Sequence, residues 1–70
     1  MKYVAICSAL YDYSAQTEEE ISFQTQDVLY ILEKSDPDWH KAQLKVPNTD
    51  GPIGLIPANY IEKVCHKLYI

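Results

Sequence analysis

Tyr11, Tyr13, Trp39 and Tyr60 are the side chains through which this 70-residue chain can act on another molecule. They come from separate segments, each beside polar or turn-forming residues, whereas a core aromatic is normally embedded in apolar neighbours. Taken singly, each is more readily a packing residue than a functional one. Together with Pro57 and Asn59 they can form shallow aromatic grooves, the shape that suits a polyproline II ligand. Such a ligand is ordered before it binds, has about three residues per turn and leaves its carbonyls free for donors such as Trp Nε1–H and Tyr O–H. If residues 9–13 are extended, Tyr11 and Tyr13 share one face. The triplet Glu18-Glu19-Glu20 follows a few residues later. By itself it is a solvated loop; beside an aromatic groove it becomes an anchor for an Arg or Lys of the ligand.

Catalytic chemistry finds no support. His40 and His66 lie in different segments, the Ser and Cys residues form no nucleophile motif, and two glycines make no phosphate-binding loop. A metal site would need Cys7, Cys65, His40 and His66 to assemble from unrelated positions. The chain therefore reads as non-enzymatic, with no cofactor and no metal. Its formal charge of −4 comes from ten acids against six bases, and every base is Lys. Nucleic acid is a poor partner, because counterion release needs a basic surface. Asp12, Glu18, Glu19, Glu20, Asp27, Glu33, Asp36 and Asp38 share residues 12–38 with Lys34 alone. An acidic face of this kind favours a basic ligand and speeds its approach.

Seventy residues make a single small domain, 1–70, too small for a deep pocket, with an expected stability of a few kcal/mol. Cys7 and Cys65 lie near opposite ends, without metal-site spacing or the density of a secreted scaffold. A reducing compartment is the simpler reading, and a Cys7 to Cys65 bridge is the geometric alternative. Met1-Lys2-Tyr3 does not begin a secretory signal, and no apolar run approaches the ~20 residues that span a bilayer. The expectation is a soluble cytoplasmic domain without membrane insertion, monomeric within a larger protein. The apolar end of the tail at 65–70 fits a domain continuing into a longer chain.

The elements that must position the aromatics read as strands. Val4 and Ile6 favour a first strand over 3–10, followed by a long polar loop over 14–20. A β-rich apolar run at 27–32 is the second strand, though its period alone does not say which face is buried. Ser35-Asp36-Pro37-Asp38 is a turn cluster, 39–45 a third strand, and 46–52, with Pro47, Asn48, Asp50, Gly51 and Pro52, a flexible hairpin tip. A fourth strand at 53–57 ends at Pro57, residues 58–60 have room for one tight helical turn, and 60–64 give a short fifth strand. Five short strands without a convincing helix indicate a small all-β barrel.

These residues resemble the Src homology 3 (SH3) family over residues 5–64. Ala9-Leu10-Tyr11-Asp12-Tyr13 matches its opening motif, Glu20-Ile21-Ser22-Phe23 its acidic-Leu-Ser-Phe segment, and Asp38-Trp39 its groove tryptophan. Gly54-Leu55-Ile56-Pro57-Ala58-Asn59-Tyr60 matches its Gly-x-Ile-Pro-x-Asn-Tyr signature. The resemblance implies a five-stranded barrel of two packed antiparallel sheets, with an RT loop at 14–20, an n-Src loop at 33–38, a distal hairpin near 46–52 and a 3-10 turn before the last strand. It implies binding without catalysis: a module for P-x-x-P segments flanked by Arg or Lys. Tyr11, Tyr13, Pro57 and Tyr60 would wall two proline pockets, and Trp39 would separate them from an acidic pocket. Trp39 and Asn59 would donate hydrogen bonds to ligand carbonyls. Glu18, Glu19 and Glu20, with Asp36 and Asp38, would attract the basic residue. Ala9, Ile21, Phe23, Leu29, Ile31, Ala42, Ile56 and Ile61 would supply the core.

Three positions depart from the family pattern. His40 replaces a frequent second tryptophan at a position facing away from the groove, Leu55 stands where many members carry an aromatic at the groove edge, and the distal hairpin is long. Family members that bind ubiquitin on the same groove tend to carry Phe where this chain has Tyr60, which favours a proline-rich ligand. The alternative is a folded partner such as ubiquitin, or a segment of the same longer chain. Glu33-Lys34-Ser35-Asp36, the enlarged hairpin and residues 52–57 look most like fungal adaptors of the cortical actin and endocytic machinery, which implies signalling work at the cell cortex.

Overall fold

The computed structural model describes residues 3–62, and these form one antiparallel meander. Strands β1 (Ala5–Ser8), β2 (Val28–Glu33), β3 (Trp39–Leu44) and β4 (Ile53–Pro57) lie in that spatial order, and a 3-10 turn, Ala58–Tyr60, follows β4 directly. After the turn, Ile61 bridges Ala9 and the Glu62 N–H bonds the Ser8 carbonyl at 3.1 Å. The chain thus returns from the β4 edge to the β1 edge, and the sheet closes as an SH3-like barrel. The expected fifth strand is represented by the Ile61 bridge; its residues 63–64 lie outside the described residues.

Pairing settles which face of β2 is buried. Leu29 stands opposite Cys7 and Leu44, Ile31 opposite Ala5 and Ala42, so both point inward and are fully buried. Ala5, Cys7, Ala9, Ile21, Phe23, Ala42, Ile56 and Ile61 complete the core. All eight expected core residues are buried. Tyr30 points outward and meets the Tyr3 ring at 4.7 Å. Between Ile31 and Glu33 the β2–β3 register shifts, a bulge that bends β2 as it enters the n-Src loop. Cys7 is disulfide-bonded in the structure, unlike the reduced thiol expected from the sequence. Cys65 lies outside the described residues.

The distal hairpin is tighter than a flexible tip. Val46 bridges Thr49 around Pro47 and Asn48, and Asn48 takes the left-handed conformation, φ 66°, that Asn tolerates better than most residues. The hairpin folds over Gln43, whose Nε2 donates to the Gly51 carbonyl at 3.1 Å. Gln43 is buried although it alternates with the core residue Ala42, because its face of β3 is covered there.

The RT loop is seated on β4 by its backbone. Leu55 N–H donates to the Glu19 carbonyl at 2.8 Å, and Ile21 N–H donates to the Leu55 carbonyl at 3.2 Å. At the loop base, Tyr13 and Phe23 exchange both backbone bonds, at 2.9 and 3.0 Å. The seat requires glycine at 54: a Cβ there would lie 2.6 Å from the Glu19 carbonyl oxygen and 2.9 Å from Ile21 Cγ2. Gly54→Ala is therefore expected to destabilise the domain by about 1–3 kcal/mol, the usual range for overpacking. Urea denaturation should show a lower midpoint with an unchanged slope; an unchanged midpoint would mean that the loop is not held against β4.

Candidate functional site

Four aromatic rings meet on one side of the barrel. Tyr11 and Tyr60 have centroids 5.6 Å apart, Tyr60 and Tyr13 5.3 Å, and Tyr13 and Trp39 6.4 Å, each pair close to edge-to-face. Such pairs are worth roughly 0.5–1.5 kcal/mol beyond their area burial, so the rings hold one another in place. Tyr13 is the centre of the set and also packs on the core ring of Phe23 at 5.7 Å. Tyr11 remains 57% exposed and Trp39 36%, well above a core aromatic.

Separate elements deliver these rings. Tyr11 and Tyr13 come from the ascending arm of the RT loop. Trp39 opens β3 where the n-Src turn ends, and that turn is built by Asp36, whose Oδ1 accepts the N–H groups of Asp38 at 2.8 Å and Trp39 at 3.2 Å. Tyr60 ends the 3-10 turn, which Ala58 ties to the n-Src loop by donating to the Asp38 carbonyl at 2.9 Å. Pro57 is buried opposite Trp39 in the β3–β4 register, and Asn59 is exposed on the 3-10 turn. A concavity of about 420 Å³ against the back of the RT hairpin is lined in part by Tyr13, and another of about 170 Å³ lies under the distal hairpin; Tyr11, Trp39 and Tyr60 line neither.

The acids divide into two groups that their sequence positions do not distinguish. Glu20 is half-buried: its Oε1 accepts from the Tyr13 hydroxyl and from Gln16 N–H at 3.1 Å, and its Oε2 accepts from Thr17 Oγ1 at 3.0 Å. Asp36 is engaged in its turn. Glu18, Glu19 and Asp38 are exposed, and among the described residues their carboxylates have no hydrogen-bond partner. Sequence reasoning missed this division, since the three glutamates are identical and adjacent and only the folded loop brings Tyr13, Gln16 and Thr17 to the third. Leu55 is half-buried, and its backbone provides the RT-loop seat. His40 is half-buried, with Nδ1 3.1 Å from the Asp36 carbonyl. Among the described residues, no three His, Cys, Asp or Glu gather as metal ligands.

The family model for a variant SH3 domain matches residues 9–62, most of the chain. The chain belongs to the SH3 family. SH3 domains are interaction modules, not enzymes. This SH3 domain is 48% identical over 73 aligned positions to the actin cytoskeleton-regulatory complex protein SLA1 of Mycosarcoma maydis, covering 90% of the chain and 6% of that protein. It is 37% identical to human intersectin-1, covering 83% of the chain and 3% of intersectin-1. The chain thus spans only a small part of these relatives. Among solved structures, it is similar to the C-terminal SH3 domain of myosin IB from Entamoeba histolytica bound to an EhFP10(GEF) peptide, with TM-score 0.74 and 38% identity over 91% of this chain and 98% of that one.

The Tyr13–Glu20 bond ties the site to pH. Its main effect is to hold the Glu20 carboxyl below its ordinary value of 4.5, with further lowering from Gln16 N–H, and to push the Tyr13 hydroxyl from 10.0 up to about 12. Folded Glu20 binds its proton more weakly than unfolded Glu20, so this contribution is complete above the ordinary carboxylate value and is lost as pH falls through the depressed one. For Tyr13 the unfolded chain ionises first, so the contribution fades as pH rises from about 10 toward about 12. Tyr13→Phe is therefore expected to destabilise the SH3 domain over the neutral range, with the difference from the parent shrinking at both extremes. Urea midpoints of both proteins from acid to alkaline pH measure this; a pH-independent difference would rule the bond out.

Proposed function

We propose that this SH3 domain docks proline-rich P-x-x-P segments flanked by Arg or Lys, as an adaptor module of the actin-cytoskeletal or endocytic machinery in the cytoplasm near the cell cortex. The observation that carries this reading is the edge-to-face series Tyr11, Tyr60, Tyr13 and Trp39 on an exposed, shallow face. Ridges of aromatic rings leave shallow grooves between them, which fit the three-fold ridges of a polyproline II helix. Tyr11, Tyr13, Pro57 and Tyr60 would wall the proline pockets, with Leu55 at the groove edge. Trp39 Nε1–H and the Asn59 amide would donate to ligand carbonyls. The Trp39 N–H bonds Asp36 of the n-Src turn and its ring meets Tyr13, the partner of Glu20 in the RT loop, which supports a basic flank on the ligand. The peptide-bound myosin IB neighbour and the SLA1 and intersectin-1 relatives support the module and its setting.

Affinity is expected in the weak range, with Kd from roughly 1 to 100 µM, about −8 to −5.5 kcal/mol. Trp39→Ala should weaken an Arg-flanked P-x-x-P peptide by about 2 kcal/mol or more, roughly thirtyfold, as loss of a central aromatic anchor does. Calorimetric titration measures the loss, and the amide spectrum of the variant reports whether the barrel is intact. Unchanged affinity in a folded variant would reject the groove. Shifts confined to surfaces away from Trp39 and Tyr60 would instead indicate a folded partner such as ubiquitin or an intramolecular segment.

A further inference from the structure

We infer that the cavity behind the RT hairpin is a second docking surface of this domain, separate from the aromatic face, and that it takes a basic side chain carried on an extended, proline-free segment of a partner protein. The inference does not depend on the peptide reading of the aromatic face. The cavity, of about 420 Å³, lies where the base of the RT hairpin meets the end of β3, and of the four rings on the aromatic face only Tyr13 also lines it. Its volume is within the range of about 300–1,000 Å³ usual for ligand sites. The floor is apolar, made by the buried Phe23 and the half-buried Leu44.

The rim sets the sign of the charge that fits. Asp12 and Asp27 stand on it, and their turns use one oxygen of each: Asp12 Oδ1 accepts from Thr25 N–H and Oγ1 at 2.7 and 2.9 Å, and Asp27 Oδ2 accepts from Gln24 N–H at 2.8 Å. Asp12 Oδ2 and Asp27 Oδ1 are left for a ligand. The Thr25 bonds hold the Asp12 carboxyl below its ordinary value, so it is ionised throughout the neutral range. No lysine lines the cavity; the neighbouring Lys45 lines the space under the distal hairpin instead. Two carboxylates over an apolar floor complement Lys or Arg, whose methylene stem packs on Phe23 and Leu44 while its charged head stays at the wet rim. The backbone of such a segment also finds partners. Ser22 Oγ accepts from Ala15 N–H at 2.9 Å, which leaves its hydroxyl hydrogen to donate, and the exposed Gln24 amide both donates and accepts. A metal ion fits less well, because no three His, Cys, Asp or Glu gather among the described residues.

The probe is a proline-free peptide with one Arg between two Leu, compared with the same peptide carrying Gln in place of Arg, in amide chemical-shift titrations. The Arg peptide should move the Ser14, Ser22 and Gln24 amides saturably, leave the Trp39 indole N–H in place and weaken as salt rises. The Gln peptide should bind roughly tenfold more weakly, as loss of a charge-assisted hydrogen bond entails. Gln24→Lys, at an exposed rim position, should weaken the Arg peptide by a similar factor with the barrel intact, and Trp39→Ala should leave it unchanged. Asp12→Asn combined with Asp27→Asn, which keeps an acceptor oxygen for each turn, should repeat the Gln24→Lys loss. Absence of saturable binding, equal binding of the two peptides, shifts confined to Tyr11, Trp39 and Tyr60, or undiminished binding to Gln24→Lys would each overturn the inference. So would concentration-dependent movement of the same amides without peptide, which would assign the cavity to a second copy of this chain.

Discussion

Leu55 gives both of its backbone groups to the RT loop, donating to Glu19 and accepting from Ile21, and most of the molecule's organisation depends on that pair of bonds. Gly54 makes the approach sterically allowed, and no other residue type fits against the Glu19 carbonyl without a shift. Below the seat, Ile21 enters the core beside Ile56, the inward neighbour of Leu55. Above it, Glu20 faces Tyr13, and Tyr13 in turn rests on Phe23 and meets Trp39 and Tyr60. A long polar loop would otherwise have a large set of conformations. Here its two ends, its tip and one aromatic ring are fixed together, so packing of the core and shape of the exposed face are set by the same contact.

The acidic composition has two physical functions that a charge count merges. Asp12 accepts from Thr25 N–H and Oγ1, at 2.7 and 2.9 Å, bonds that lower its pKa, and Asp27 accepts from Gln24 N–H at 2.8 Å. With Asp36 and Glu20, these carboxylates close turns by satisfying backbone donors that the strands leave open. Glu18, Glu19 and Asp38 project outward. At long range all the charges contribute to the field that draws a cation toward this side. At contact distance Glu18, Glu19 and Asp38 offer both carboxylate oxygens, and interactions there are screened by salt within about 10 Å.

Local chemistry made much of the fold legible. β4 at Ile53–Pro57 and the 3-10 turn at Ala58–Tyr60 match the reading of Pro57 as a breaker after an apolar run, and β3 ends one residue earlier than expected. β1 is shorter at both ends than the apolar stretch that suggested it, since beyond Ser8 the chain bridges Ile61 at Ala9 and bonds the Tyr60 carbonyl at Leu10. The buried face of β2 was not legible, since Val28, Leu29, Tyr30, Ile31 and Leu32 are all acceptable core residues until Ala42 and Leu44 stand opposite. Neither was the burial of Gln43, which depends on a hairpin folding across it. Of the site, the aromatic set was legible from its odd neighbours, whereas the separation of Glu20 from Glu18 and Glu19 was not. Three consecutive identical residues differ only through which donors the folded loop brings to each.

The shallow face also bears on what kind of recognition the proposed function can support. On an exposed face built from a few rings a ligand buries little area, and affinity must come from limiting the entropy lost on both sides. The rings restrict one another by edge-to-face packing, and Tyr13 is held at its hydroxyl and at its ring face, so this surface is ordered before any ligand arrives. A polyproline II segment is also ordered beforehand. Under the proposed function, two preformed, small surfaces would give weak and reversible docking. One carboxylate of the triplet is thus held inward, where it bonds the Tyr13 hydroxyl and orders the ring face, while its neighbours Glu18 and Glu19 remain in solvent.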